Sequence, residues 1–199
     1  PHLPSDARWL DVGAGSGEFA FLLHRLGLSV TALEPNQGYA DYVSDALCVP
    51  VFPGFLEDLP IPSTPFDAVS CFHMLEHHPN PVAALRLVAA LLRPDGLLAI
   101  EVPNAAFPHT HPDSRFHPAH LVHFTASNLE FAARSAGFQP VSLQTSSDGG
   151  VLCGVFRLSP QSAPPGIPAV TVEAFRQAEL ERSPLRYYSS PAVWNRTLR

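Results

Sequence analysis

Short apolar runs alternate with amphipathic segments from residue 8 to residue 158 of the chain. The apolar runs predict seven strands, at residues 8–12, 28–33, 49–52, 66–72, 97–102, 138–143 and 151–158. The amphipathic segments predict helices at residues 18–26, 37–46, 82–92 and 126–136. Strands that alternate with helices are typical of a doubly wound α/β fold whose sheet is mostly parallel and covered on both faces.

Two turn signals modify this pattern near its end. The motif Ser146-Ser147-Asp148-Gly149-Gly150 predicts a tight hairpin between the sixth and seventh strands. We therefore expect the last strand of the seven-stranded sheet to be antiparallel. The motif Arg93-Pro94-Asp95-Gly96 predicts a helix stop and a turn before the fifth strand.

A change in composition divides the chain in two. Residues 1–158 form the predicted α/β domain, in which residues 103–125 are an irregular stretch with five histidines. Loops of that length in a compact domain usually serve as lids or binding loops. Residues 159–199 begin with a linker-like, proline-rich segment and predict an amphipathic helix at 170–182, followed by an aromatic tail.

The composition excludes several classes of protein. Hydrophobic residues make up 46% of the 199 residues and the net charge is −6, without any cluster of basic side chains, which argues against nucleic-acid binding. The most apolar run, residues 81–92, is too short to span a bilayer and contains Arg86. The three cysteines form no CxxC pair, which is typical of reduced thiols in a cytoplasmic protein.

The first predicted strand runs into a glycine-rich loop, Asp11-Val12-Gly13-Ala14-Gly15-Ser16-Gly17. Glycines allow positive φ angles and a close approach of the backbone to a ligand. The N terminus of the following helix favours an anionic group. A dinucleotide-binding loop would need a third glycine where this chain has Glu18, whose carboxylate would repel a pyrophosphate. Asp11 instead suits a ligand that carries an ammonium group.

The second predicted strand is followed by Glu34, seventeen residues past Gly17. An acidic side chain at the end of this strand is well placed to accept hydrogen bonds from both ribose hydroxyls of an adenosine. A glutamate at a strand end is commonly just solvated, so the indication comes from its register with the glycine loop.

The chain resembles the class I S-adenosylmethionine-dependent methyltransferases, and in particular the branch that includes the ubiquinone-biosynthesis O-methyltransferases. The resemblance covers about residues 8–158, in the family's order and spacing. It is carried by the stretches LDVGAGSGEFAFLLHRLG, VTALEPN, GFLEDLPIPSTPFDAVSCFHMLEHHPNP, LLRPDGLLAIEVPN and HLVHFTASNLEFAARSAGF. It implies a Rossmann-like fold, S-adenosylmethionine as cofactor and S-adenosylhomocysteine as product.

The resemblance also implies roles for particular residues. The cofactor-binding residues it implies are Asp11 near the ammonium, Gly13, Ala14, Gly15 and Gly17 in the loop around the methionine portion, Glu34 at the ribose, Pro35 and Asn36 beside the adenine, Leu56 and Glu57 closing the adenine pocket, and Phe72 and His73 under the sulfonium. The chain departs from the family at Phe55, where many relatives have an aspartate that binds the adenine amino group. Either Glu57 or a backbone carbonyl would replace that contact.

Eight of the ten histidines fall into two groups, at residues 73–78 and 109–123. Both groups follow strands whose carboxyl ends lie at the ligand-binding edge of a doubly wound sheet. A histidine titrates near neutral pH and can accept the proton of a hydroxyl as it is methylated. Several histidines would instead only pack and hydrogen-bond the irregular stretch. Our candidates for the catalytic base are His73, His78, His117 and His120.

The segment His73-Met74-Leu75-Glu76-His77 also fits the H-x-x-E-H pattern of zinc proteases. Pro79 and Pro81 follow at once, so no long helix can present it. Some ubiquinone-pathway relatives have a metal-holding Glu-x-x-Glu-His at this place, and the corresponding set here would be His73, Glu76 and His77. Because Leu-Glu-His also occurs in relatives without metal, we assign no metal ligand.

We expect a small-molecule methyl acceptor, with oxygen ahead of nitrogen or carbon. The proline-rich motif of amino-methylating nucleic-acid enzymes is absent after the fourth strand, where the sequence is Cys71-Phe72-His73-Met74. The family usually has helices before the first strand that roof the substrate. We expect that roof to come from residues 103–125 and the tail, or from a partner domain or a second copy of the chain. The alternative function is a degenerate or accessory cofactor-binding domain.

Overall fold

The computed structural model describes residues 3–107 and 117–159. Seven strands and four helices follow one another along these residues. The strands are β1 (Arg8–Val12), β2 (Ser29–Glu34), β3 (Val51–Pro53), β4 (Phe66–Phe72), β5 (Leu92–Pro103), β6 (Phe138–Thr145) and β7 (Val151–Leu158). The helices are α1 (Glu18–Arg25), α2 (Gln37–Asp45), α3 (Pro81–Leu91) and α4 (Ala126–Ser135), and two short 3-10 turns lie at Leu56–Asp58 and Leu75–His77.

The strands form one sheet in the order β3-β2-β1-β4-β5-β7-β6. Pairs among β1 to β5 are parallel, whereas β7 runs antiparallel to both β5 and β6. The prediction of a mostly parallel, doubly wound sheet with an antiparallel last strand is therefore confirmed. The order reverses between β1 and β4, and in open α/β sheets ligands bind at such a switch point.

The two sides of the sheet carry different helices. α1 and α2 pack with Val30 and Ala32 in one cluster, while α3 and α4 pack with Leu33 and the central strands in another. Ala32 and Leu33 are neighbours on β2, and successive side chains of a strand point to opposite faces. The two clusters therefore cover opposite faces of the sheet.

Side-chain caps fix where three of the helices begin. The Asn36 side chain accepts a hydrogen bond from the Tyr39 amide at the start of α2, and Asn80 does the same for Ala83 at the start of α3. Thr125 begins α4 with a reciprocal capping box to Asn128. Each cap satisfies an amide that has no partner within the helix.

The helix stop predicted before the fifth strand is confirmed, because α3 ends at Leu91, but the turn predicted after it has a different structure. β5 already begins at Leu92, and its pairing with β4 skips from Leu92 to Leu97. Residues 93–96 form a bulge, in which Asp95 has a φ of 61°. These turn-forming residues therefore lie within a strand rather than in a loop. The hairpin at residues 146–150 lies where it was predicted.

Some predictions lie outside the described residues. They are the roles of His109 and His111, the helix at residues 170–182 and the aromatic tail. The division of the chain at residue 158 likewise stays a prediction. Among the residues that are described, no helix has the length and apolar composition needed to cross a membrane.

The interior strand β5 offers a direct test of the core. Leu98 is 0% exposed, so we expect Leu98→Ala to lower the free energy of unfolding by about 2–5 kcal/mol through lost burial and the cavity left behind. Urea unfolding followed by circular dichroism measures this change. The matched control is Leu26→Ala, since Leu26 is 69% exposed. Equal costs for the two variants would contradict the described packing of β5.

Candidate active site

A cavity of about 490 Å³ lies at the carboxyl edge of the sheet, beside the switch point. Its walls come from the ends of β1 and β2 and from the segments that follow β3 and β4. The lining residues are Val12, Gly13, Leu33, Glu34, Pro35, Phe55, Leu56, Glu57, His73, Met74, His77, His78 and Pro79. The cavity therefore contains seven of the predicted site residues: Gly13, Glu34, Pro35, Leu56, Glu57, His73 and His78.

The three glycines of the loop after β1 have different surroundings. Gly13, Gly15 and Gly17 all have positive φ angles, of 72°, 56° and 84°. A Cβ on Gly13 would lie 3.0 Å from Cγ of Met74 in the cavity wall, and a Cβ on Gly17 would lie 2.7 Å from a methyl of Val43 on α2. A Cβ on Gly15 would meet no atom within 4 Å. Gly15 thus borders open space, whereas Gly17 is required by helix packing.

The carboxylate of Glu34 holds the glycine loop in place. Glu34 is 6% exposed, and its two oxygens accept hydrogen bonds from the Gly15 amide at 2.7 Å and the Asn36 amide at 2.8 Å. The Leu33 carbonyl accepts from the amides of Gly13 and Ala14. The ends of β1 and β2 are therefore tied together, with the Glu34 carboxylate at the cavity surface.

Asp11 lies beneath the loop rather than on the cavity wall. It is 3% exposed, and its Oδ1 accepts a hydrogen bond of 2.5 Å from the Ser70 hydroxyl, which also accepts one from the Trp9 indole. Burial raises the pKa of Asp11 to about 6, against the opposing effect of the Ser70 hydrogen bond. A nearby ammonium group would stabilise the ionised form of this carboxylate.

The predicted adenine side of the cavity is largely apolar. Leu33, Pro35 and Leu56 contribute to its walls, together with the exposed ring of Phe55. The side chain of Asn36, which was also predicted to lie beside the adenine, caps α2 and does not line the cavity. A slot between aliphatic side chains and one aromatic ring suits a flat heterocycle.

Glu57 and His78 form a pair across the cavity. Nε2 of His78 lies 2.6 Å from Oε1 of Glu57, and Nδ1 of His78 accepts a hydrogen bond from the Asn80 amide. The neutral His78 ring therefore carries its proton on Nε2 and donates it to Glu57, and this hydrogen bond lowers the pKa of Glu57. Both ring nitrogens of this candidate base are therefore engaged in hydrogen bonds within the protein.

His73 occupies the turn after β4, between two carboxylates. Its φ is 51°, a strained conformation for a side-chain-bearing residue, and its amide donates to the Glu101 carbonyl at 2.8 Å. Nε2 lies 3.0 Å from Oε1 of Glu101, and Nδ1 lies 3.4 Å from Oε1 of Glu76. Glu76, and then Glu101, raise the pKa of His73 above its ordinary value, against the effect of burial.

Phe72, which precedes His73, packs away from the cavity. Its ring lies 4.7 Å from the ring of Phe19 on α1, and Phe19 in turn contacts Trp9 at 5.8 Å. This aromatic stack joins β1 and β4 to α1. Only His73 of this predicted pair belongs to the cavity wall.

The second group of histidines approaches the first near Glu76. The ring of His120 lies 5.0 Å from that of His77 and 4.9 Å from that of His117. Nδ1 of His77 lies 2.8 Å from the Ala119 carbonyl. Burial lowers the pKa of His120 below its ordinary value. His120 therefore contacts the first group through His77, but His117 and His120 are not among the residues that line the cavity.

The residues of the site that were not predicted from the sequence include Ser70, Met74 and Glu101. Glu101 lies near the carboxyl end of β5, so the reasoning that singled out Glu34 at the end of β2 would also have found it. Ser70 and Met74 have no such signal, because their roles depend on contacts with Asp11 and Gly13 across the sheet.

The described residues fit the chemistry of S-adenosylmethionine. A buried carboxylate at the β2 end can accept bonds from a ribose diol, and the apolar slot beside it accommodates an adenine. The open space next to Gly15, with its positive φ, admits a ligand close to the backbone. Glu18, which accepts a hydrogen bond from Ser16 at the start of α1, puts a carboxylate where a dinucleotide's pyrophosphate would lie.

The sequence has relatives of known type. The family model described as "Methyltransferase domain" matches residues 1–143. A ubiquinone biosynthesis O-methyltransferase of Xanthomonas axonopodis pv. citri is 36% identical over 107 residues, which are 51% of this chain and 45% of that protein. The chain therefore spans about half the length of this curated relative.

Solved structures show the same fold. The [4+2]-cyclase SpnF superposes with a TM-score of 0.67 at 19% identity, covering 79% of this chain and 77% of that one. An S-adenosylmethionine-dependent methyltransferase from Methanosarcina mazei superposes with a TM-score of 0.64 at 17% identity, covering 79% and 94%. At these identities the likeness concerns the fold alone.

The family match covers well over half of the chain, and it agrees with the glycine loop, the Glu34 carboxylate and the sheet order. The chain belongs to the class I S-adenosylmethionine-dependent methyltransferases.

Proposed function

We propose that this domain transfers the methyl group of S-adenosylmethionine to an oxygen of a small-molecule acceptor, and that the cavity at the switch point holds both. The observation that carries the proposal is the lining of that cavity. The Glu34 carboxylate, the apolar slot and the side chain of His73 all belong to its wall. In this proposal, Glu34 and the slot hold the cofactor, and the methyl group is directed toward His73.

The preference for oxygen rests on two points. The curated relative described above is an O-methyltransferase by its name, and a neutral hydroxyl must lose its proton during methylation. An imidazole within the cavity wall supplies a base for that proton. A net charge of −6 agrees with a small molecule rather than a nucleic acid as the acceptor.

His73 is the base in this proposal. When its neutral ring donates the Nε2 proton to Glu101, the lone pair on Nδ1 faces the Glu76 carboxylate, which offers it no proton, and it can accept the proton of the substrate. The resulting imidazolium lies between the carboxylates of Glu101 and Glu76, which stabilise its charge. His78 lacks this freedom, because its Nδ1 lone pair already accepts the proton of the Asn80 amide.

Methyl transfer from a sulfonium needs alignment and exclusion of water more than it needs a base. The cavity provides the alignment by fixing Glu34 and the glycine loop to one another. The same proposal includes two further points. A partner domain or a second copy of the chain closes the open side of the cavity. The protein works in the cytoplasm, where its cysteines stay reduced. The alternative, a degenerate or accessory domain, is not favoured, because Gly13, Gly15 and Glu34 keep the geometry of an intact cofactor site.

The role of Glu34 predicts a loss of cofactor affinity. Glu34→Ala removes a charged acceptor for two ribose hydroxyls, so titration calorimetry with S-adenosylhomocysteine should show affinity weakened by roughly 10- to 100-fold. Glu130→Ala is the matched control, because Glu130 pairs with Arg134 on the surface of α4. Unchanged binding in Glu34→Ala, with a folded protein by circular dichroism, would refute the assignment of the ribose site.

The nature of the acceptor predicts where a label appears. With methyl-labelled S-adenosylmethionine and a panel of hydroxyl, amino and activated-carbon acceptors, we expect label on oxygen. Glu34→Ala should abolish the transfer at low cofactor concentration. Label confined to nitrogen or carbon would contradict the O-methylation proposal, and a chain that binds S-adenosylhomocysteine but labels nothing would favour the accessory domain.

The role of His73 predicts a loss of turnover that exceeds any loss of cofactor affinity. His73→Asn should lower kcat on a hydroxyl acceptor by roughly 10²- to 10⁴-fold, because the base is removed. His24→Asn, on the exposed side of α1, is the control. A drop in S-adenosylhomocysteine affinity as large as the drop in kcat would mean that His73 only binds cofactor.

A further inference from the structure

The turn Leu56–Asp58 after β3 places one carboxylate on the wall of the cavity. Phe55, Leu56 and Glu57 line the cavity, whereas Asp58 is not among the lining residues. The Asp58 carboxylate instead accepts a hydrogen bond from the Phe55 amide, at 3.3 Å, within the turn. The neighbour of Glu57, Leu56, belongs to the apolar slot described above. Glu57 is therefore the acidic residue of this turn that borders the slot.

The backbone acceptors of the same turn are already engaged. The Phe55 carbonyl accepts a hydrogen bond from the Asp58 amide at 3.1 Å, and the Leu56 carbonyl accepts one from the Leu59 amide at 3.4 Å. The Glu57 carboxylate offers more, because an ionised carboxylate has about four lone-pair positions on its two oxygens. One of these, on Oε1, receives the hydrogen bond from His78. The others are the strongest acceptors that this turn offers to a ligand.

The ring of His78 is held as a hydrogen-bond donor of fixed direction. Its Nδ1 accepts the proton of the Asn80 amide at 3.1 Å, so the proton of the neutral ring is on Nε2 and points to Glu57. Asn80 is itself fixed, because its side chain caps α3. The His78 side chain is 16% exposed, whereas that of Glu57 is 49% exposed. The more buried partner therefore fixes the more exposed one.

This hydrogen bond changes what Glu57 can do for a ligand. A glutamate side chain has several rotatable bonds, and holding it in one geometry costs rotamer entropy. The bond from His78 removes much of that freedom before any ligand arrives, so a ligand that binds Glu57 loses less entropy. The same bond lowers the pKa of Glu57, which keeps the carboxylate ionised at neutral pH.

We propose that His78 is a positioning residue that holds the Glu57 carboxylate as the acceptor for the exocyclic amino group of the cofactor's adenine. This inference rests on the proposed cofactor site. An amino group donates, and an ionised carboxylate can only accept. A base with an oxygen at the same place would set an acceptor against a negative charge, which is unfavourable. The Glu57–His78 pair thereby selects adenine over hypoxanthine in the bound nucleoside.

The test compares three ligands that differ at one position of the base. They are S-adenosylhomocysteine with its 6-amino group, the analogue with hydrogen there, and S-inosylhomocysteine with a 6-oxo group. Titration calorimetry on the full chain should rank their affinities in that order. We expect the amino compound to bind roughly 10- to 100-fold more tightly than the oxo compound, because repulsion replaces a hydrogen bond to a charged acceptor. Glu57→Gln should bring these two affinities within about threefold of one another, since a neutral amide both donates and accepts.

Variants of His78 separate positioning from a general structural role. His78→Leu removes the donor and should lower the amino-to-oxo affinity ratio by roughly 3- to 10-fold, because Glu57 is then free to turn to solvent. His78→Gln keeps an N–H donor and should restore most of the ratio. A double variant, His78→Leu with Glu57→Gln, should have the ratio of Glu57→Gln alone, since both changes act on one hydrogen bond. The matched controls are His24→Leu on the exposed side of α1 and Glu130→Gln on the surface of α4, which should leave all three affinities unchanged.

The outcomes distinguish this inference from the proposed function. An amino-to-oxo ratio that is unchanged in Glu57→Gln would overturn the inference. So would His78→Leu if it weakened all three ligands equally, because the pair would then only shape the cavity. An unaltered chain that binds all three ligands equally would also overturn it, while the cofactor site would stand. A chain that binds none of the three would refute the proposed cofactor site, and this inference with it.

Discussion

The site depends on a single carboxylate that ties two loops together. Glu34 accepts one hydrogen bond from the loop after β1 and another from the residue that caps α2. Buried charge of this kind persists only when its oxygens are satisfied, so the geometry of the glycine loop follows from it. The positive φ angles of Gly13 and Gly15 are what allow the backbone to approach the carboxylate. A ribose diol would use the remaining lone pairs of the same oxygens, which couples cofactor binding to the position of the loop.

Much of the fold could be predicted from the sequence because buried parallel strands are apolar runs with clear ends. β1, β4 and β7 have the predicted bounds, and the antiparallel last strand followed from its hairpin motif. The beginning of β5 could not be predicted in the same way. A proline, an aspartate and a glycine in succession indicate a turn, but pairing with β4 on both sides of residues 93–96 turns them into a bulge. Tertiary pairing overrides the local signal there.

The site was predictable to the extent that topology alone determines it. Glu34, Leu56 and His73 lie at or just after the carboxyl ends of strands. The carboxyl ends of all parallel strands in a sheet lie at the same edge. No such rule predicts which side chains the histidines contact. The pairing of His78 with Glu57 and the burial of Glu76 among imidazoles arise from segments far apart in sequence. Sequence spacing suggested His73, Glu76 and His77 as a set, whereas the structure groups Glu76 and His77 with His120.

The central claim is that the cavity beside Glu34 is the cofactor site, and a crystal structure of the complex with S-adenosylhomocysteine tests it most directly. The account predicts that the ribose hydroxyls bind the Glu34 carboxylate, that the adenine lies against Leu56 and Pro35, and that the sulfur points toward His73. A ligand bound elsewhere, or one that leaves the ribose without contact to Glu34, would contradict it.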